Sequence, residues 1–210
     1  MDTNFAIYSF TALFIIVNPI ASVPIFMAMT ERFKKEHRKV MVRRAVLIAA
    51  VVLIFFTYTG NAVFNLLGVE IYSFRIAGGI LLFIIAIEML FGKRSRTESS
   101  AEEEEEAIKQ RDDVTVTPLA IPLLTGPGAI TTGIVLINNA KGPADQIALL
   151  INILLVFLLS YIILSRSERV FDALGNTGTR VIVRIMGLLL ASIAVQFIIT
   201  GIGEAVIGLR

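Results

Sequence analysis

The amino-acid sequence predicts an all-α polytopic membrane protein with about six transmembrane helices. Its 210 residues are 56% hydrophobic and only 17% charged, with a mean hydropathy of +0.80. Several apolar runs reach the roughly 20 residues that a helix needs to cross the hydrocarbon core of a bilayer. Buried strands are shorter and end in turns, so runs of this length favour helices.

The apolar runs define six predicted membrane-spanning segments, numbered 1 to 6 in chain order. They lie at about 5–29, 45–67, 71–91, 116–137, 147–164 and 180–206. The first lacks a basic leader and a small-residue cleavage site, so we expect it to be retained as a helix rather than removed as a signal peptide.

A charged stretch between the third and fourth segments divides the chain into three parts. We predict a three-helix repeat at 1–91, a charged cytoplasmic linker at 92–115 and a second three-helix repeat at 116–210. The run Glu102–Glu106 in this linker is interpreted as a solvated connection between the two halves.

The basic residues are concentrated in three of the predicted loops. Of the 19 lysines and arginines, seven lie between segments 1 and 2, five between segments 3 and 4, and four between segment 5 and the start of segment 6. Cytoplasmic loops of membrane proteins are enriched in these residues. We therefore predict a protein of the cytoplasmic (inner) membrane with both termini outside.

The composition argues against an enzyme. The chain has no cysteine and a single histidine, His37, which lies in a basic loop. Disulfides and thiolate metal sites are therefore excluded, and a serine nucleophile would lack a histidine base. We predict no catalytic residue, no metal and no cofactor. Nucleic acid is not an expected partner, because membrane orientation accounts for the basic loops.

The third segments of the two halves share a spaced pattern. The stretch Arg75-Ile-Ala-Gly-Gly-Ile-Leu81 can be laid on Arg184-Ile-Met-Gly-Leu-Leu-Leu190, and Glu88 then falls within one residue of Gln196. Three spans per half is an odd number, so the second half must cross the membrane in the opposite sense. Inverted repeats of this kind recur in secondary transporters, with the substrate site near the midplane between the repeats.

The first segment of each half is broken by proline near the predicted midplane. The interruptions are Asn18-Pro19 in segment 1 and Gly126-Pro127-Gly128 in segment 4. A broken helix presents N–H groups at its new N-terminus and carbonyl groups at its new C-terminus. Two such breaks can hold the carboxylate and the ammonium of an amino acid without any charged side chain. Proline kinks tolerated in membrane helices are the alternative interpretation.

The candidate substrate-binding residues follow from these breaks, with one addition deep in segment 6. They are Asn18, Pro19, Ile20, Ala21, Ser22, Thr125, Gly126, Pro127, Gly128, Ala129, Thr131, Thr132 and Gln196. Glu88 could bind a coupling H⁺ or Na⁺, but an interfacial or paired carboxylate is the simpler interpretation.

Other polar and small residues in the segments have structural interpretations. We expect Arg75 and Arg184 to anchor helix ends by snorkelling, and Glu204 to meet water. We expect Gly78, Gly79 and Gly187 to let helices pack closely.

Three motifs resemble those of the MarC family. They are the stretches 18–26 and 118–132, which contain the two breaks, and 184–196 in the last segment. The resemblance covers nearly the whole chain apart from the acidic loop. It implies transport of small neutral amino acids such as glycine and alanine, because the family includes such transporters.

Other functions remain open at this level. The family takes its name from a multiple-antibiotic-resistance locus, which suggests drug or metabolite efflux, although drug pockets are usually large and apolar. A pore would need a ring of lining groups supplied by an oligomer, and the sequence leaves the oligomeric state unknown.

Overall fold

Helices account for the architecture of the chain wherever the structure describes it. The computed structural model describes residues 3–30, 33–92 and 124–208. The helices are α1 (Thr3–Val17), α2 (Ser22–Thr30), α3 (Lys35–Leu67), α4 (Ile71–Phe91), α5 (Pro127–Asn139), α6 (Pro143–Ser165) and α7 (Ser167–Gly208). No strand occurs within these ranges, so the all-α prediction is confirmed for them.

Among the residues that the structure describes, five stretches are long and apolar enough to cross a bilayer. They are Thr3–Pro24, Lys35–Val63, Ile71–Phe91, Pro143–Ser165 and Thr177–Ile207. These stretches correspond to the predicted segments 1, 2, 3, 5 and 6, and they confirm a polytopic helical membrane protein. They leave the large side chains of their outer surface exposed, as expected for contact with lipid.

Segment 4 is described only in part. Residues 93–123 lie outside the described residues. They comprise nearly all of the predicted linker (92–115) and the first part of segment 4 (116–123). The described helix α5 has 13 residues and is about 20 Å long, which is shorter than a bilayer's hydrocarbon core. The sixth span therefore stays a prediction.

Two helices extend beyond the predicted apolar segments at the same end of the bundle. Helix α3 begins at Lys35, ten residues before the predicted start at 45, and α7 begins at Ser167 instead of 180. The predicted loop between segments 5 and 6 is thus largely helical, interrupted at Gly175 (φ 63°). Apolar patterning marks only the part of a helix that lies in hydrocarbon, whereas its hydrogen bonds continue into the interface.

Helices α4 and α7 form the closest pair, and they run antiparallel. A Cβ atom on Gly79 would lie 2.9 Å from the carbonyl oxygen of Ala194, and one on Gly187 would lie 3.1 Å from that of Ala86. A Cβ atom on Gly201 would lie 3.0 Å from the carbonyl oxygen of Tyr72. Glycine therefore brings the two backbones together along the whole interface, as expected for Gly79 and Gly187.

The remaining helices pack mainly across the two halves of the chain. Within the described ranges, α1 packs on α5, α6 and α7, while α3 packs on α5 and α6, and α4 also contacts α5. Buried residues from both halves form a single apolar core, including Leu13, Leu53, Leu82, Leu136 and Leu149. The ranges 1–91 and 116–210 therefore share one core.

Polar contacts distinguish the two ends of the bundle. At the end that carries the basic residues of α3 and α7, here called the basic end, Lys35 Nζ donates to Glu168 Oε2 at 2.8 Å. At the opposite end, Asn138 Nδ2 donates to Asn61 Oδ1 at 2.7 Å, and the Tyr58 hydroxyl donates to a main-chain carbonyl of α6. Both ends are thus tied by contacts between helices that are distant in sequence.

The glycine interface can be tested with two valine substitutions in the same helix. Gly201→Val would place Cβ 2.7 Å from Ile76 Cγ1 and against the α4 backbone, so we expect a loss of about 1–3 kcal/mol of stability. Gly203→Val is the matched control, because no atom lies within 4 Å of its added Cβ. Thermal unfolding of the purified protein in detergent measures both, and equal midpoints would contradict the close approach.

Candidate functional site

The first break separates α1 from α2 at residues 18–21. Asn18 adopts a left-handed conformation (φ 43°), which ends α1 and turns the chain. Its side-chain Oδ1 accepts a hydrogen bond from the Ala21 N–H at 3.4 Å, and its carbonyl accepts bonds from the Ser22 N–H and hydroxyl, each at 3.3 Å. Asn18 therefore caps the start of α2 with both its side chain and its carbonyl.

The residues around the first break are enclosed by protein. Asn18, Pro19 and Ser22 are buried, and Ile20 and Ala21 are partly buried. The Val23 N–H is also paired, to the carbonyl of Ile20 at 3.2 Å. Several N–H groups at this new helix start are thus satisfied within the break itself, which makes the turn stable in an apolar environment.

The predicted second break lies at the start of α5, at residues 124–126, and the part of segment 4 before residue 124 lies outside the described residues. Gly126 is the N-cap residue and Pro127 begins the helix, where its missing N–H and fixed φ are well suited. The Gly126 carbonyl accepts hydrogen bonds from the N–H groups of Ala129 and Ile130, at 3.0 and 3.2 Å. Because Gly126 provides no side-chain cap and Pro127 has no N–H, the Gly128 N–H is the one group of the first turn of α5 without a hydrogen bond to the described residues.

Threonine hydroxyls surround the second break. Thr125 Oγ1 donates to the carbonyl of Ala49 in α3 at 2.9 Å, which ties the break to a neighbouring helix. Thr132 Oγ1 donates to the carbonyl of Gly128 at 2.9 Å within α5. The Thr131 side chain packs against Gly78 of α4. Thr125, Gly128, Thr131 and Thr132, together with Ala129, are buried.

The two breaks lie close to each other in the bundle. A Cβ atom on Gly128 would lie 3.0 Å from Ile16 Cδ1, and Ile16 is two residues before Asn18. It would also lie 3.1 Å from Leu82 Cδ2 and from Ile85 Cδ1 of α4. We call this contact region of α1, α4 and α5 the junction. It combines two helix ends, buried hydroxyls and apolar side chains, and its glycine is closely packed.

Two predicted residues are not brought to the junction by these contacts. Gln196 is exposed on α7, where its Nε2 donates to Thr200 Oγ1 of the same helix at 3.1 Å. Glu88 is partly buried near the C-terminal end of α4, where its carbonyl accepts the Gly92 N–H. No group of three or more His, Asp or Glu side chains suited to a metal occurs among the residues that the structure describes.

Comparison with known proteins identifies the family. The family described as "MarC family integral membrane protein" matches residues 3–206. The chain belongs to the MarC family. This confirms the resemblance carried by the two breaks and the last segment.

Curated MarC relatives match over nearly their full length. A UPF0056 membrane protein of Methanocaldococcus jannaschii is 41% identical over 199 residues, covering 95% of this chain and 87% of the relative. One of Archaeoglobus fulgidus is 39% identical, covering 98% and 96%, and UPF0056 membrane protein YvbG of Bacillus subtilis is 36% identical, covering 96% of each chain. No solved structure matches the chain.

The MarC chain also contains a buried polar cluster that sequence reasoning did not predict. Arg75 was expected to snorkel, but it is buried, and its Nη1 donates to Glu204 Oε1 at 2.9 Å. Its Nη2 donates to Asn139 Oδ1, also at 2.9 Å. Glu204 was expected to meet water, and its side chain is 39% exposed; the ion pair of one of its oxygens with the guanidinium was not predicted.

This cluster joins the ends of α4, α5 and α7 opposite the basic end. Its partners are 64 and 129 residues from Arg75 in sequence, so no local pattern could reveal them. A charge in a membrane helix is itself the signal that a partner should be sought. The cluster fixes the far end of α5, whose first turn lies at the junction.

The left-handed turn at Asn18 can be tested with two small substitutions. Both Asn18→Gly and Asn18→Ala remove the side-chain acceptor, but only alanine must carry a Cβ atom in the left-handed region. We expect Asn18→Ala to be less stable than Asn18→Gly by about 1 kcal/mol. Unfolding midpoints of the two variants in detergent provide the comparison, and an alanine variant as stable as the glycine variant would argue against the turn.

The buried ion pair can be tested with a double-mutant cycle. Glu204→Gln should destabilise the protein by about 1–3 kcal/mol, because the buried guanidinium loses its charged acceptor. Adding Arg75→Gln should recover part of that loss, since no unpaired charge then remains. Glu168→Gln, at the exposed ion pair of the basic end, is the control and should have a smaller effect that salt screens. Strictly additive effects of the two central substitutions would contradict the pairing.

Proposed function

We propose that this MarC family member is a secondary transporter of small neutral amino acids such as glycine and alanine. The observation that carries the proposal is the proximity of the end of α1 to the start of α5, where the two breaks are predicted, seen in the contact of Ile16 with Gly128. Paired interruptions of membrane helices are typical of transporter substrate sites. A plain proline kink in each helix would not require the two kinks to be neighbours.

The chemistry of the junction suits a zwitterion. The first turn of α5 offers the N–H group of Gly128 and a partial positive charge to a carboxylate. The last carbonyls of α1 before Asn18 offer acceptors to an ammonium group. Hydroxyl groups of Ser22 and Thr125 lie at the two breaks and can change partners when a ligand enters. Neither end requires a charged side chain.

The size of the junction favours a small substrate. Apolar side chains close the space around Gly128, at 3.0–3.1 Å from the point where a Cβ atom of this residue would lie, so a bulky ligand would need large rearrangements. A glycine or alanine side chain adds at most one methyl group. Binding would separate α5 from Ile16 or from Leu82 and Ile85, which gives alternating access a definite starting point.

The pattern of helix contacts supports an inverted repeat. Exchanging segments 1 with 4, 2 with 5 and 3 with 6 converts each main contact between segments into another that occurs. The contact of segment 1 (α1 and α2) with α6 becomes that of segment 4 (α5) with α3, and the contact of α4 with segment 4 becomes that of α7 with segment 1. The pairs α3 with α6 and α4 with α7 convert into themselves. A pseudo-two-fold axis between the halves would produce this pattern.

Orientation and coupling complete the proposal. The basic end faces the cytoplasm, following the rule for lysine and arginine, and both termini face outward from the inner membrane. Glu88 remains the candidate for binding H⁺ or Na⁺. Gln196 is the weakest of the proposed substrate contacts, because it is exposed on α7.

Counterflow in proteoliposomes tests the transport function. Vesicles preloaded with unlabelled glycine or L-alanine should accumulate the radiolabelled amino acid, and excess external glycine should abolish the signal. Gly128→Val should eliminate accumulation, because the larger side chain fills the junction. Gly203→Val, whose side chain meets no neighbour, should transport normally.

Stability measurements make the transport result interpretable. If Gly128→Val does not fold, Thr125→Val is the alternative, because it keeps the side-chain volume and removes one hydroxyl at the junction. Folded wild-type protein that shows no counterflow with any of several neutral amino acids would refute the substrate class. Large unitary currents in planar bilayers would instead support a pore.

A further inference from the structure

A cavity of about 450 Å³ lies at the basic end, outside the junction. It is formed by the middle of α2, the start of α3, the end of α6 and the first turn of α7. The break between α6 and α7 at Arg166 opens the space, because the chain turns there before α7 begins at Ser167. The cavity is therefore enclosed by four helices and is not merely a gap between surface side chains.

Positive charge dominates the lining of this cavity. It includes five cationic side chains, Lys35, Arg38, Lys39, Arg166 and Arg169, and one carboxylate, Glu168. Cations in a recess with low-dielectric walls concentrate anions more strongly than the same charges on an open surface.

One carboxylate neutralises only part of this charge. Glu168 accepts hydrogen bonds from Lys35 at 2.8 Å and from Arg38 at 3.2 Å. The hydrogen bond and charge of Lys35 lower the pKa of Glu168, so this carboxylate is ionised at neutral pH. Lys39, Arg166 and Arg169 make no ion pair within residues 3–30, 33–92 and 124–208.

The interior of the cavity offers a further donor and an apolar floor. Ser165 is one of the lining residues, and its Oγ is buried without a hydrogen-bond partner in the described part of the chain. The floor is formed by buried Phe26, Val42 and Leu164, and Ile162 is exposed beside it. A ligand that fits this lining carries an anionic group with oxygen acceptors next to an apolar part.

The position of the cavity matches the level of lipid headgroups. Lys35 begins a candidate membrane span and Ser165 ends another, so the lining lies where these helices leave the hydrocarbon. Basic pockets between membrane helices at this level bind anionic lipid headgroups. A soluble anion would make no favourable contact with the exposed apolar side chain of Ile162.

We propose that this cavity binds the phosphate group of an anionic phospholipid, with Lys39, Arg166 and Arg169 as its main contacts and Ser165 as a hydroxyl donor. The acyl chains lie along the exposed apolar surface of α6. Glu168 limits the affinity, because it competes with the phosphate for Lys35 and Arg38.

Native mass spectrometry of the purified protein with phosphatidylglycerol tests this site, with phosphatidylcholine of the same acyl chains as the neutral reference. The double variant Arg166→Gln/Arg169→Gln should weaken phosphatidylglycerol binding about tenfold or more. The matched control Arg43→Gln/Arg44→Gln removes two exposed charges of α3 that do not line the cavity, and it should change binding less than about threefold. Glu168→Gln should tighten binding.

Four results would overturn the proposal. If phosphatidylcholine bound as tightly as phosphatidylglycerol, the site would not require an anionic headgroup. If both double variants lost the same affinity for phosphatidylglycerol, the lipid would be attracted by the general surface charge and not by the cavity. Displacement of the lipid by millimolar inorganic phosphate would assign the cavity to a soluble anion. If the lipid bound only after Glu102–Glu106 were replaced with glutamine, the occupant of the cavity would be the chain's own acidic segment and not a lipid.

Discussion

Hydrocarbon offers no hydrogen-bond partners, so the polar groups at the interruptions of this bundle depend on partners inside the protein. At the first break, Asn18 meets this requirement locally by pairing N–H groups at the start of α2. Thr125 meets it across helices, through the carbonyl of Ala49. Asn152 does the same for α6, because its Nδ2 donates to Ser9 Oγ and to the Ala6 carbonyl of α1, each at 2.8 Å. The interrupted helices are tolerated because these partners exist, and the partners in turn determine which helices are neighbours.

The interlocking of the two halves limits how the bundle can move. Most main contacts join a helix of the first half to one of the second, and glycine brings α4 and α7 into backbone contact. Pulling the halves apart would expose most of the core at once, so the movement required by the proposed transport is better served by displacement of α1 or α5 against the closely packed α4–α7 pair. The short α5, with one end at the junction and the other beside Arg75, is well placed to couple the two regions.

The sequence predicted those features that depend on local chemistry. Apolar run length placed segment 3 at the bounds found for α4, Ile71–Phe91, and the prolines mark the turn between α1 and α2 and the start of α5. The helical extension before residue 45 was missed because hydropathy does not detect helix outside hydrocarbon. The pairing of Arg75 with Glu204 was missed because it depends on three-dimensional packing between residues far apart in sequence. The exposed position of Gln196 depends on the rotation of α7, which a short sequence match does not determine.

The separation of Arg75 from its partners has a consequence for biosynthesis. Ribosomes deliver α4 to the membrane before Asn139 and Glu204 have been made, so the guanidinium enters without either acceptor. An unpaired arginine in a membrane helix is costly, and at this stage it must stay near the interface or be sheltered by the insertion machinery. Completion of α7 supplies the missing carboxylate and draws Arg75 inward. The ion pair between Arg75 and Glu204 can therefore form only after the last helix of the bundle has been synthesised.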